Sequence, residues 1–394
     1  MLSFEEARNI IITHAHSFGE ELIDINDVYG RVLAEAIKAD RDYPPFNRAS
    51  MDGYAIKKSD WDNGLSEFVI AETVYAGKIS KHIINTGECY KIMTGAAVPM
   101  HADIVIRRED VSEAKNNITL LQRELKAFQN IARQGEDIKQ DISILQQPAK
   151  CTAPVIGLLA SLGKNNVLVK KLPTVSIITT GDEVVDVTDK VDPVQIRNSN
   201  AYTIKALLKQ WNILPSSVSH MPDEIGQLLS AITAAKENDI IILSGGVSEG
   251  DADYVPSVLK ESGAVEIFHK VAIKPGKPFW FGKFADGAVV FALPGNPLSC
   301  MVTFKLFIEL FLSCSFGLDK PLPLSLPFNG TRIKKSSLDE FFPVKISGNP
   351  SSVGPIHFNG SGDITALITA DGIARHPRDI TELSQGMLID LYRL

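Results

Sequence analysis

The rhythm of apolar and polar positions changes near Thr174, and the change divides the chain. Beyond it, "TVSIITT" (174–180) and "DIIIL" (239–243) are short, nearly continuous apolar runs that read as buried strands. Between them, "AYTIKALLKQWN" (201–212) and "DEIGQLLSAITAAKEN" (223–238) repeat apolar residues at helical spacing, and "ILPSSVS" (213–219) reads as a further strand. Asn198, Ser199 and Asn200 offer caps to the first helix. Strands alternating with helices predict a parallel α/β sheet, whose ligands bind at the carboxyl ends of the strands. Gly181-Asp182-Glu183 and Ser244-Gly245-Gly246 both stand at such ends.

The pattern before Thr174 is less regular. Ser3 and Glu6 have capping-box spacing, which predicts an opening helix rather than a signal peptide. Short β-like runs follow, including "YPPFNRASMDGYAI", "CYKIMTGAAVP" and "ADIVIRRED", and then a helix around "APVIGLLASLG" (153–163). At the other end, the proline-rich "GLDKPLPLSLP" closes the α/β region near position 327, and a tail of short β-like pieces predicts a small β module. "MVTFKLFIELFLSC" (301–314) is the longest apolar run; Lys305 and Glu309 interrupt it, so it reads as a buried helix rather than a membrane span.

Composition narrows the class. The chain has 394 residues, 44% of them apolar, which suits roughly two to four globular domains. A formal charge of −7 argues against a nucleic-acid surface. Cys89, Cys151, Cys300 and Cys314 lack close pairing or metal-ligand spacing, which fits reduced thiols in a cytoplasmic protein. His14 and His16, two apart, diverge on a helix and do not suggest a metal site.

The chemistry gathers in a few motifs. The small loop Ser244-Gly245-Gly246 suits an anion, yet Asp251 and Asp253 follow at once in "SGGVSEGDADYV". "IKPGKPFWFG" sets Lys274 and Lys277 on either side of Pro275-Gly276, so two cations can meet a phosphate or another tetrahedral oxyanion. "FALPGNPLSC" is a strand, a rigid loop and a helix start, with Asn296 and Ser299 as possible caps. Asp52, Asp137, Glu183 and Asp223 recur at strand or loop ends, where each singly serves equally as a cap or a salt-bridge partner. Together, acids and lysines suit a phosphorylated ligand with magnesium, which prefers one or two carboxylates plus phosphate oxygens. The acids could equally accept hydrogen bonds from an amino-substituted heterocycle.

Read in order, "PPFNRASMDGYAI", "IMTGAAVP", "QGEDI", "IITTGDEVV", "IRNSNAY", "SGGVSEGDADYV", "IKPGKPFWFG", "LPGNPLS" and "FNGSGDITALITADGIARHP" resemble the MoeA family of molybdopterin molybdenumtransferases, over nearly the whole chain. The resemblance implies an α/β and β multidomain protein. Domain I would comprise 1–42 and 139–172, a β-rich domain II 43–138, a molybdopterin-binding α/β domain III 173–319, and a small C-terminal β-barrel domain IV 320–394. It implies a cytoplasmic homodimer that inserts molybdate into adenylylated molybdopterin with magnesium and releases AMP. Transient partners would be the molybdopterin adenylyltransferase and acceptor molybdoenzymes or their chaperones, with neither nucleic acid nor membrane involved. A gephyrin-type scaffold or an adenylyltransferase is the alternative.

Carried onto this chain, the resemblance implies catalytic roles for Asp52, Thr94, Asp137, Glu183, Asp223 and Asp253. The substrate would be bound by Thr180, Gly181 and Asp182; by Asn198, Ser199 and Asn200; by Ser244, Gly245, Gly246, Ser248 and Gly250; and by Pro294, Gly295 and Asn296. Molybdate would meet Lys274, Lys277, Ser299 and Ser361, and magnesium Asp251 and Asp253. One departure stands out: Pro343 in "LDEFFPV" occupies a position where relatives often carry an arginine, which leaves one cation fewer for the oxyanion.

Overall fold

Alternating side chains on the strands after Thr174 reach two separate apolar clusters, so this sheet is covered on both faces. Ile177, Ile240, Ile242 and Phe291 join one cluster, while Ile178, Ile241, Leu243 and Val290 join the other. Helices Phe4–His14, Ser199–Lys209 and the long segment beginning at Pro297 supply the first face; Ile225–Ala235 and Val255–Glu261 supply the second. The computed structural model describes residues 1–122, 124–248, 254–348 and 351–394. They form two compact units, one of residues 1–34, 148–156 and 165–394, the other of 35–147 and 157–164.

In the larger unit the sheet order is Ser217–Met221, Val175–Thr180, Ile240–Ser244, Val289–Leu293, Trp280–Lys283, Val265–His269. The first four strands are parallel, as the alternation with helices predicts. Trp280–Lys283 runs antiparallel to them, a departure from the all-parallel expectation, and Val265–His269 pairs it antiparallel in turn and so points with the first four. Trp280–Lys283 and Val289–Leu293 are joined by a short loop, which permits only the antiparallel return. The strand expected at 213–219 forms four residues later, because Pro215 denies the sheet an N–H.

Ser3 and Glu6 make the predicted capping box: Ser3 N–H donates to Glu6 Oε2 at 2.8 Å and Glu6 N–H to Ser3 Oγ at 3.2 Å. The apolar helix is longer than its sequence run, covering Pro297–Ser315, and 83% of its most apolar stretch is buried inside this unit. Lys305 Nζ meets Glu309 Oε1 at 2.8 Å one turn on, so the two charges that interrupt the run neutralise each other in the interior.

The C-terminal strands close into a barrel. Asp339–Ser347, Gly372–His376, Leu388–Arg393 and Leu324–Pro327 are consecutive neighbours, and Ser352–Pro355 pairs the far side of the first. A bridge between Phe328 and Val353 joins the two ends. Phe342, Val344, Ala374, Ile389 and Leu391 fill the interior, whereas Phe341 and Ile373, one position out of phase, face the large core beside Phe4. Leu324–Pro327, at the end of the proline-rich stretch, pairs Leu388–Arg393 as one strand of this barrel. Pro343 is buried within Asp339–Ser347, opposite Ile373.

The smaller unit carries a six-stranded sheet in the order Ile104–Arg107, Gly53–Ile56, Glu88–Ile92, Glu67–Val74, Asn117–Leu120, Val111–Ala114. Its strands also alternate between two clusters, with Tyr54, Ile56 and Ile106 on one face and Ala55, Tyr90 and Val105 on the other. Gly53 is required by proximity, since a Cβ there would lie 1.8 Å from the Ile106 carbonyl oxygen. Gly53→Ala must therefore separate two paired strands. We expect a loss of about 3 kcal/mol, at the upper end for overpacking, read as a lower urea midpoint; an unchanged midpoint would refute the close approach.

Candidate active site

Three neighbouring parallel strands end together in the larger unit, and each carries a motif at its carboxyl end. Val175–Thr180 leads into Gly181-Asp182, Ile240–Ser244 into Gly245-Gly246, and Val289–Leu293 into Pro294-Gly295-Asn296. Asn200 ties the last two: its Nδ2 donates to Ser244 Oγ at 2.9 Å and to the Gly295 carbonyl at 2.7 Å. Gly245 presses against the first strand, with φ +107° and room for a Cβ only 2.7 Å from the Thr180 carbonyl and Oγ1. The packed glycines bring backbone amides and small hydroxyls to one place.

Two polar atoms within this cluster are buried yet have no hydrogen-bond partner among the described residues: Thr180 Oγ1 and Asn200 Oδ1. Such groups carry a desolvation cost that a ligand can relieve. Of the three candidate caps, Asn198 alone caps, accepting from Ala201 N–H at 3.1 Å while donating to Thr179 Oγ1 at 2.7 Å. Ser199 is exposed in the first helical turn, and Asn200 turns inward as the clamp. Asp223 N–H donates to Asp182 Oδ1 at 3.0 Å, and Glu183, next to Asp182 in sequence, is exposed. Ser248 is exposed. Gly250, Asp251 and Asp253 lie outside the described residues.

The lysine turn rests on helix Pro297–Thr303. A Cβ on Gly276, at φ +110°, would lie 2.6 Å from Thr303 Cγ2, so the turn sits directly over that residue. Thr303 Oγ1 donates back to the Ser299 carbonyl at 2.8 Å. Lys274 and Lys277 are exposed, whereas Ser299 is only 3% exposed. Asn296 occupies the cap position but does not cap the helix with its side chain, contrary to expectation. Its Nδ2 donates instead to Ser361 Oγ at 3.0 Å, while Leu298 N–H donates to the Ser361 carbonyl at 3.1 Å. Ser361 is thereby drawn to the same helix start as Ser299.

The smaller unit holds a separate pair. Thr94 donates both its N–H and its hydroxyl to Asp52 Oδ1 at 2.7 Å, and these bonds hold the Asp52 carboxyl below its usual range. Asp137 is exposed, anchored through its amide to the Tyr43 carbonyl at 2.9 Å, and shares no hydrogen bond with that pair among the described residues. The four cysteines are free, and burial pushes the Cys300 thiol up to about 12, so this thiol stays protonated. No group of three or more His, Cys, Asp or Glu that could hold a metal occurs among the described residues.

A network in the barrel escaped the sequence reading: Arg332, Glu340 and His376, joined to Lys274. Its one local signal is the acidic pair Asp339-Glu340 at the head of a strand whose next four residues, 341–344, are apolar.

Comparison with known proteins agrees with the motifs. Residues 2–163 match the family description "MoeA N-terminal region (domain I and II)", and residues 176–313 match "Probable molybdopterin binding domain". A molybdopterin molybdenumtransferase of Synechocystis is 34% identical over 400 residues, covering all of both chains. One of Staphylococcus epidermidis is 33% identical, covering 94% of this chain and 90% of its own. A solved molybdopterin biosynthesis MoeA protein of Pyrococcus horikoshii is 27% identical with a TM-score of 0.85, each chain covered completely. This chain belongs to the MoeA family of molybdopterin molybdenumtransferases.

Proposed function

We propose that this chain transfers molybdenum to molybdopterin, taking molybdate and adenylylated molybdopterin and releasing AMP and the finished cofactor. The observation that carries the reading is the pair of buried atoms without a partner among the described residues, Thr180 Oγ1 and Asn200 Oδ1, beside the glycine loops. Pterin and pyrophosphate together supply the donors and acceptors such a cluster lacks. Thr180 Oγ1 can give or take a hydrogen bond and Asn200 Oδ1 can take one, while the Gly245 and Gly246 segment allows backbone approach to a phosphate. Lys274 and Lys277 would capture the tetrahedral dianion, with Ser299 and Ser361 orienting it from the helix start.

Asp52, held ionised by Thr94, would orient or deprotonate water, and Asp137, Glu183 and Asp223 are proposed to share the acid work. Magnesium would neutralise the pyrophosphate, with Asp251 and Asp253 its proposed ligands. The reading also includes a homodimer in the cytoplasm that meets the adenylyltransferase and the acceptor enzymes or their chaperones transiently.

Lys274→Ala or Lys277→Ala should raise the KM for molybdate roughly tenfold, the lower end for losing a charge-assisted hydrogen bond. Binding of the adenylylated pterin should stay within about twofold, an internal control read by calorimetry. Equal losses in both would instead assign the lysines to the pyrophosphate.

Thr180→Val keeps the side-chain shape and removes an unsatisfied hydroxyl. We expect an unchanged or higher denaturation midpoint together with weaker pterin binding, by about tenfold. A variant that binds as tightly as the parent would remove Thr180 from the site.

The pH profile tests Asp52. Hydrogen bonds to the charged form lower its pKa, so its ionised, active state persists as pH falls until the depressed pKa is reached. Thr94→Val removes the hydroxyl donor and should move the acid limb of kcat/KM to higher pH. A limb that stays in place would mean another group controls it.

A further inference from the structure

We propose that Glu340 is a positioning residue for Lys274, through which the C-terminal barrel orders one of the two cations of the oxyanion turn. The proposal rests on the reading of Lys274 as an oxyanion-holding group.

The backbone sets the pair. Strand Ile273–Lys274 lies parallel to Asp339–Ser347, with Lys274 in register with Glu340, so the lysine turn begins as an edge strand of the barrel sheet. Lys274 Nζ stands 3.7 Å from Glu340 Oε1. That distance is an ion pair but longer than a hydrogen bond. The lysine side chain is 65% exposed and the glutamate side chain 9%, so a mobile cation faces a fixed carboxylate.

Glu340 is fixed from behind. Its Oε2 accepts from Arg332 Nη2 at 2.6 Å, and the Arg332 guanidinium stacks 4.3 Å over the Phe342 ring. Arg332 Nη1 donates to His376 Nδ1 at 2.9 Å. Burial first, then the charges of Arg332 and Lys334, lower the His376 pKa to about 4, which keeps Nδ1 an acceptor at neutral pH. Although burial raises the Glu340 pKa, bonding to Arg332 and Ser336 outweighs it and the carboxyl stays ionised.

The unequal distances decide what the glutamate does. Arg332 takes one oxygen at hydrogen-bond distance and cancels most of the charge that would repel an arriving dianion. The other oxygen attracts Lys274 from farther away, limiting its rotamers without immobilising it. A dianion shared by Lys274 and Lys277 can then displace this weak partner.

The test uses the full chain and molybdate itself. Glu340→Gln should raise the KM for molybdate about threefold to fivefold, the size of one partly exposed ion pair, with kcat changed less than twofold. In a Lys274→Ala background the same substitution should change neither constant. Glu340→Asp keeps the counter-charge for Arg332 but withdraws the oxygen from Lys274, and gives the same readout if Glu340→Gln folds poorly. An unchanged KM in the parent, or an equal rise in the Lys274→Ala background, would overturn the role of Glu340 alone. If Lys274→Ala itself leaves the molybdate KM unchanged, the oxyanion reading of Lys274 fails first and this proposal goes with it.

Discussion

Asn200 donates one amide hydrogen to Ser244 and the other to Gly295, and the geometry of the strand-end cluster depends on that double bond. The loops at the ends of these adjacent strands are also tied by the Gly245 N–H, which donates to the Leu293 carbonyl at 3.1 Å, and Asn200 adds a side-chain tie beyond it. This planar group helps set their spacing, and Gly245 lets the first strand's Thr180 approach without a Cβ between them. The clamp also holds the carbonyl Oδ1 in the interior, where it has no partner among the described residues. Rigidity and the capacity to bind thus come from the same side chain: the half that holds the loops orients the half that remains unsatisfied.

The lysine turn is held by a different economy of contacts. Gly276 settles over Thr303, so helix Pro297–Thr303 fixes the turn's height, while pairing of Ile273–Lys274 with Asp339–Glu340 fixes its direction. Both contacts are made through the backbone or Gly276, and the one side-chain partner of an ammonium described above is Glu340, 3.7 Å from Lys274 Nζ. The charges stay in solvent on a backbone that is not free to move, a suitable arrangement for capturing a small, strongly hydrated anion. Ser361 meets the same helix start from the barrel through Asn296 and the Leu298 amide.

What was legible in the sequence followed from local pattern. Ile240 to Leu243 could hardly be other than a buried strand, and the Ser3–Glu6 box announced its helix because both partners lie within one turn. Strand direction was hidden for Trp280–Lys283 and Val265–His269, since side-chain alternation is the same either way. Asn296 was misread because cap statistics reward a suitable side chain at the right place, while Ser361, sixty-five positions away, supplied a competing partner. Within the site, the residue types and their strand-end placement were readable, but the Arg332–Glu340–Lys274 chain joins segments that no local window contains.

The parallel pairing of Ile273–Lys274 with Asp339–Ser347 also has a consequence for the order of events during synthesis. As the chain leaves the ribosome, every strand of the α/β layer is available before the barrel strand that flanks the lysines. At about 5–20 residues per second, the delay is a matter of seconds. Throughout it, Ile273–Lys274 is an open edge, protected from pairing with a neighbouring nascent chain chiefly by the positive charge it carries. The ammonium proposed to meet the oxyanion in the finished enzyme thus stands on the strand edge that closes last during synthesis.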